Sequence, residues 1–240
     1  MTKVLFSPVL PGVNPKPMGA ALAAACPEAR LHLDAVTPLK VSGSGSVGAY
    51  DPLIGIWTEI MAGGAHLVHG KSALDLAHCF PKSAVVMVLG DPLWRAMESF
   101  RNVRKSADHP LHAEVEAQGF TTAREFYRSP VSVPLRNRQC RKLARIAEGQ
   151  ELPPDRLFER ARSLVEAMVV WIGFEGITSG PQPVLGKVIR DLGVGSGTPD
   201  LVPFSPPKAV PDPETAETIR EANSADHRLW EFARERMGNP

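Results

Sequence analysis

The chain has little of what builds special-purpose proteins. Three cysteines among 240 residues, Cys26, Cys79 and Cys140, are far apart, odd in number and free of any Cys-x-x-Cys or His/Cys ligand spacing, which excludes a disulfide scaffold and a cysteine metal site and reads as three reduced thiols. Charge of one sign is missing too. With 27 Lys+Arg against 26 Asp+Glu, there is no cationic excess for binding nucleic acid through phosphate neutralisation. No apolar run approaches the length of a membrane span, and the start, MTKVLFSPVLPG, breaks its apolar residues with prolines before a secretory core can form. A soluble, cytoplasmic protein is expected.

Proline is in excess. Twenty-three residues are close to one in ten, against an average of about 5%. They fall mainly in strand-to-helix connections and at helix starts, so they punctuate the chain; residues 199–213 form a proline-dense loop. At 43% hydrophobic and 22% charged, the composition is that of one ordinary globular domain spanning residues 1–240.

The pattern alternates strand and helix. Residues 3–9 read as a strand, 19–26 as an alanine-rich helix and 30–36 as a second strand, followed by the connector SGSGSVG. Asp51 and Pro52 open a helix as N-cap and first residue, with Leu53, Ile56, Trp57, Ile60 and Met61 on its apolar side. Gly63 and Gly64 stop it, residues 65–68 form a strand, and Ser72 starts a short helix to His78. Residues 84–89 are wholly apolar, as in a parallel strand covered on both faces. Asp91 and Pro92 open the next helix. Helices are expected at 121–127, 137–147 and 154–167, a strand at 168–174, and two helical patterns ending at Arg236; no internal repeat is present. The class is α/β, a three-layer sandwich with a central parallel sheet of four or five strands and a helical C-terminal half.

Open parallel sheets bind ligands beyond the carboxyl ends of their strands. Three connections qualify. The first carries Lys16 just before Gly19 at a helix start, where free N–H groups and the helix dipole favour an anion, though the sequence is not a Walker loop. The second is His69-Gly70-Lys71-Ser72, in which a histidine at a strand end has the chemistry of a general base; taken alone such a residue is more often a structural histidine. His66, three residues earlier, faces the other side of a strand, which argues against a shared metal site. The third holds Asp91 and Arg95, a helix cap and a surface cation when read alone. No metal ligand set is identified.

Residues Phe80 to Phe100, FPKSAVVMVLGDPLWRAMESF, resemble the strand and helix that carry the 3′-phosphate motif of the sulfotransferase superfamily, particularly the branch with carbohydrate 2-O-sulfotransferases. Other segments follow in the family's order: His69-Gly70-Lys71 is similar to a His-Gly-His strand end, and Asn137-Arg138-Gln139-Cys140-Arg141-Lys142-Leu143 to an Asn-x-Gln-x-Arg-x-Leu helix. Val170 to Glu175 is similar to a late strand, and Asn223-Ser224-Ala225-Asp226 through Ala233 to a C-terminal helix. The resemblance implies a P-loop-like fold and transfer of a sulfuryl group from 3′-phosphoadenosine 5′-phosphosulfate to a hydroxyl or amine of a small molecule or sugar. It implies Lys16 as the cation on the departing oxygen and His69 or Lys71 as base. Pro15, Lys16, Met18, Gly19, Ala20 and Ala21 take the place of the 5′-phosphosulfate cradle, and Asp91, Arg95 and Ser99 that of the 3′-phosphate site.

The donor motifs are degenerate. Gly90 stands where the family has an arginine, Glu98 where it has a serine, Ala20 and Ala21 replace hydroxyl residues, and Pro17 deletes a backbone donor. Arg95, Arg101 or Lys208 are the cations available to substitute. The alternative is a retained fold with a lost or reassigned donor site, giving a non-sulfating enzyme or a binding protein.

Overall fold

A computed structural model describes residues 3–10, 15–33, 51–70, 73–77, 79–80, 83–146, 150–167, 169–174, 182–198 and 210–236. The connector SGSGSVG, Lys71, Ser72, His78, Lys208 and most of the 199–213 loop lie outside these residues. Five strands form one all-parallel sheet: β1 (Lys3–Pro8), β2 (Arg30–Leu33), β3 (Ala65–Gly70), β4 (Ala84–Leu89) and β5 (Val169–Phe174), in the order β2-β3-β1-β4-β5. This is neither the 3-2-1-4-5 order nor the 2-1-3-4-5 order of the common doubly wound sheets. β1 lies at the centre. From it the chain runs toward β2, whereas from its neighbour β4 the chain runs the opposite way to β5, so the connections diverge between β1 and β4. In open parallel sheets such a divergence is where a ligand crevice is expected, at the carboxyl ends of the two strands.

Right-handed crossovers assign the helices to faces. The step from β1 to β2 puts α1 (Pro15–Ala25) on one face; the reverse steps put α2 (Asp51–Met61) and α3 (Ala73–Ala77) on the other. α9 (Gln182–Leu192) packs on β1 and β4, and the residues after it close on the end of α1, where Gly197 N–H donates to the Ala25 carbonyl at 3.1 Å. Both faces of β4 are therefore covered, and all six of its residues are buried, as its unbroken apolar run predicts.

The long connection from β4 to β5 holds α4 (Pro92–Lys105), α5 (His112–Gln118), α6 (Ala123–Arg128), a 3-10 turn (Pro130–Leu135), α7 (Arg138–Leu143) and α8 (Pro154–Ala167). α10 (Pro213–Ala222) and α11 (Ser224–Arg236) complete the described chain. A second apolar cluster, built from Phe100, Val103, Val115, Phe126, Tyr127 and Ile219, joins α4, α5, α6 and α10. Its one buried phenol is satisfied, since Tyr127 donates to the Ala96 carbonyl at 3.0 Å.

Several expected boundaries move. α1 begins at Pro15, four residues before Gly19, because first-turn N–H groups have no intrahelical partner and a proline there costs the helix nothing. β3 continues through His69 and Gly70, so these residues belong to a strand and not to a loop. α6 starts at Ala123, where Thr122 and Glu125 form a reciprocal capping box. α7 is only six residues long because Arg145 takes a left-handed conformation, φ 53°, and Ile146 N–H closes on the Arg141 carbonyl at 3.0 Å. α9 was not anticipated. Its signal is present in Leu185, Val188, Ile189 and Leu192, the spacing of one helix face, with Leu185 and Ile189 fully buried.

The loop after α9 leaves no room for a side chain at Gly195. A Cβ there would lie 2.4 Å from the Ala25 carbonyl oxygen and 2.7 Å from Cys26 Cα, both backbone atoms that cannot swing aside. Gly195→Ala is expected to lower unfolding free energy by about 1–3 kcal/mol, read as a lower denaturant midpoint with an unchanged slope; an unaltered midpoint would show that the loop yields freely.

Candidate functional site at the carboxyl ends of β1, β3 and β4

Ser7 and His69 are register partners at the carboxyl ends of β1 and β3. Both are buried, and Ser7 Oγ lies 2.9 Å from His69 Nδ1. The imidazole continues onto the first turns of α1: a Cβ on Gly19 would lie 2.8 Å from His69 Cδ2 and 2.9 Å from Nε2. Gly19 is therefore required by the ring, whatever else binds nearby. His66 faces the opposite side, as strand alternation predicts, stacked on His32 with Nδ1 3.0 Å from His32 Nε2. Among the described residues, no group of three or more His, Cys, Asp or Glu side chains is placed to hold a metal.

The start of α1 offers fewer donors than a usual helix N-terminus. Of the first four N–H groups, which have no intrahelical acceptor, Pro15 and Pro17 supply none, leaving those of Lys16 and Met18. The Met18 side chain is buried in the core, and Ala20 faces solvent. The side chains of Pro15, Lys16 and Pro17 lie outside the described set, as does all of Lys71.

At the end of β4 the backbone is already engaged. Gly90 N–H donates to Gln139 Oε1 at 2.9 Å, and Gln139 Nε2 donates back to the Gly90 carbonyl at 2.8 Å. Asp91 caps α4, its Oδ1 accepting from Leu93 N–H at 2.9 Å and Trp94 N–H at 3.2 Å. The positive end of α4 is thus filled by the protein's own carboxylate. Asp91, Arg95 and Ser99 follow one another at four-residue spacing along one side of α4, and Arg95 and Ser99 are half-buried. Glu98 is not part of that stripe. It is exposed and bonded to Arg101 at 2.6 Å, which commits Arg101 to an ion pair.

The residues that hold this corner were matched by sequence but given no role. Asn137, at φ 51°, accepts through Oδ1 from the N–H groups of Ala225 and Asp226 at 3.0 and 3.2 Å, capping α11. Asp226 accepts in return from Gln139 N–H at 3.2 Å and Cys140 N–H at 2.7 Å, capping α7. Asn223 Oδ1 accepts from Asn137 N–H at 2.9 Å. Burial pushes the Asp226 carboxyl up to about 6, although its backbone hydrogen bonds favour the charged form. Beside it, burial pushes the His227 ring down against the pull of the Asp91 carboxylate. His227 was missed because nothing local in its helix distinguishes it from a surface residue.

No family model matches this chain and no curated protein matches it. Among solved structures it is similar to a crystal structure of a sulfotransferase from Alicyclobacillus acidocaldarius, with 11% identity, a TM-score of 0.47, and coverage of 97% of this chain and 96% of that one.

Two outcomes follow from the geometry. Gly19→Ala should displace the His69 ring, since 2.8 Å is too short for a Cβ contact; a His69 ring resonance that stays where it is in the wild type would contradict this packing. Asp226 should make stability depend on pH. Its native carboxyl binds a proton more tightly than the unfolded one, so its contribution is complete below the ordinary value of 3.8 and is lost as pH rises through about 6, by roughly 3 kcal/mol. Compared with Asp226→Asn, the wild type should lose about that much stability across this window in denaturant titrations, and a flat difference would show that the carboxyl titrates normally.

Proposed function

We propose that this chain is a sulfotransferase, moving a sulfuryl group from 3′-phosphoadenosine 5′-phosphosulfate to a hydroxyl or amine of a small molecule or sugar. The observation that carries this reading is the packing of His69, held by Ser7, onto the first turns of α1. It brings a titratable ring and the Lys16 helix start together at the carboxyl side of the sheet, where the family motifs place the donor. The collinear resemblance to the carbohydrate 2-O branch supplies the donor and the roles. The acceptor oxygen or nitrogen forms the new bond to sulfur as the bridging oxygen leaves; Lys16 stabilises charge on the departing oxygen, and His69 or Lys71 takes the acceptor's proton. Asp91, Arg95 and Ser99 lie toward the 3′-phosphate. Glu98 points away to Arg101, so Asp91, engaged as the α4 cap, is the carboxylate of that stripe.

Among the described residues no helix is long and apolar enough to cross a membrane. The proposal takes the chain as one cytoplasmic domain with a soluble acceptor and no nucleic-acid partner.

A second reading, a retained fold with a lost or reassigned donor site, is favoured by three specific features. Asp91 fills the α4 N-terminus, Gln139 occupies both polar groups of the Gly90 peptide, and Pro15 and Pro17 halve the donors of α1. Calorimetry with 3′-phosphoadenosine 5′-phosphate separates the two. Binding is expected at millimolar ligand or below, with Lys16→Ala lowering turnover by about 10²–10³-fold and leaving the fold intact. Absence of binding sinks the sulfotransferase reading in favour of the second, and unchanged turnover removes Lys16 from the mechanism.

A further inference from the structure

We infer that His32 and His66 form a pH-sensitive clasp between the edge strand β2, its neighbour β3 and α2. The clasp stays closed when it takes up one proton, at His32 Nδ1, and opens when it takes up a second. It lies on the sheet face opposite His69 and does not rest on the sulfotransferase reading.

Both rings are buried, and three of their four nitrogens are in hydrogen bonds whose direction the partners dictate. His66 Nε2 lies 3.2 Å from the Gly63 carbonyl. A carbonyl can only accept, so that nitrogen carries a proton. While His66 is neutral, its Nδ1 therefore holds a lone pair, and His32 Nε2 at 3.0 Å must be the donor to it. His32 Nδ1 is left, 3.7 Å from Glu59 Oε2. The Glu59 carboxylate is also paired with Arg30 at 3.2 Å. Among the described residues, these two are the charged groups that bear on the pair, one from α2 and one from β2 itself.

The first added proton disturbs none of these bonds. It enters at His32 Nδ1, facing the Glu59 carboxylate, and completes a line from Glu59 through both rings to the Gly63 carbonyl. A second proton has only His66 Nδ1 to occupy, the nitrogen that receives the His32 bond. Two N–H groups would then face each other across 3.0 Å, on two cationic rings stacked with centroids 5.3 Å apart. That state breaks the link between the rings. β2 is poorly held without it, because it pairs with β3 alone and its Arg30 and Leu31 are exposed. Burial, the His66 ring and Arg30 hold the His32 ring below its ordinary value of 6.5, against the pull of Glu59. Native His32 thus binds a proton less tightly than the unfolded residue. Its contribution to stability is complete above 6.5 and is lost as pH falls below it.

The test is a pH series of two-bond proton–nitrogen correlation spectra on the ¹⁵N-labelled protein, with each ring assigned by its loss in His32→Gln or His66→Gln. Above neutral pH both rings are expected to show a pyrrole-like Nε2 and a pyridine-like Nδ1. On acidification His32 Nδ1 takes its proton first, below 6.5, while the His66 pattern holds, and Glu59→Gln moves that step to lower pH. A pyridine-like Nε2 on either ring, a His66 ring that charges first, or a His32 step unmoved by Glu59→Gln overturns the inference. Opening is read in the wild type by amide hydrogen exchange corrected for the intrinsic rate. Below the His32 step, protection of the β2 amides is expected to fall about tenfold for each pH unit, since opening then takes up one proton, while the β1 and β4 amides stay protected. If the β2 amides keep their protection until the whole sheet unfolds, the pair is a fixed structural link and the clasp is refuted.

Discussion

The exchange of helix caps between Asn137 and Asp226 is the constraint on which the ligand-facing side depends. Each residue sits before or within the first turn of one short helix and satisfies the N–H groups of the other, across as many as 89 positions of sequence. An N-cap is worth roughly 1 kcal/mol, and two reciprocal ones also fix the relative orientation of α7 and α11. Gln139, one residue inside α7, then reaches the peptide of Gly90 at the end of β4. The C-terminal helix thereby sets the geometry of a strand end far from it in sequence. Its own seat is on α8, where the Arg228 guanidinium lies 4.1 Å from the Phe158 ring centre and pairs with Asp155. The buried Asp226 carboxyl opposes this arrangement above about pH 6, which is why the backbone donors around it matter so much.

The carboxyl edge of the sheet is built differently from a glycine-rich phosphate loop. Such loops rely on successive free N–H groups. Here prolines remove two of them, the Asp91 carboxylate fills the next helix start, and the Gly90 peptide is committed to Gln139. What remains are side chains: Arg95 and Ser99 along α4, Lys16, and an imidazole wedged where only glycine fits beside it. Side-chain donors are placed by packing, so their positions at this edge depend on the second layer of residues that holds them.

Much of the fold was legible because its signals are local. β4 and α8 were read with their observed boundaries, the first from an unbroken apolar run and the second from a helical period; the cap of α4 was read from Asp91-Pro92, whose carboxylate need reach only two or three residues ahead. α9 carried the same kind of signal and was overlooked between stretches rich in glycine and proline. The early end of α7 was not legible, because it depends on Arg145 adopting a left-handed backbone that arginine seldom takes.

The site was legible only as a list of names. Sequence determined that His69, Lys16 and Asp91 fall near strand ends, since strand period and turn residues fix position along the chain. It could not determine which way Glu98 points, which depends on the partner offered by Arg101 and on the buried side of α4. Nor could it determine that His69 meets Ser7, 62 residues away, or that Gln139 meets Gly90, 49 residues away. Those pairings arise from strand order and helix packing, because a hydrogen bond of about 3 Å between distant residues exists only after the sheet and both of its covering layers have closed.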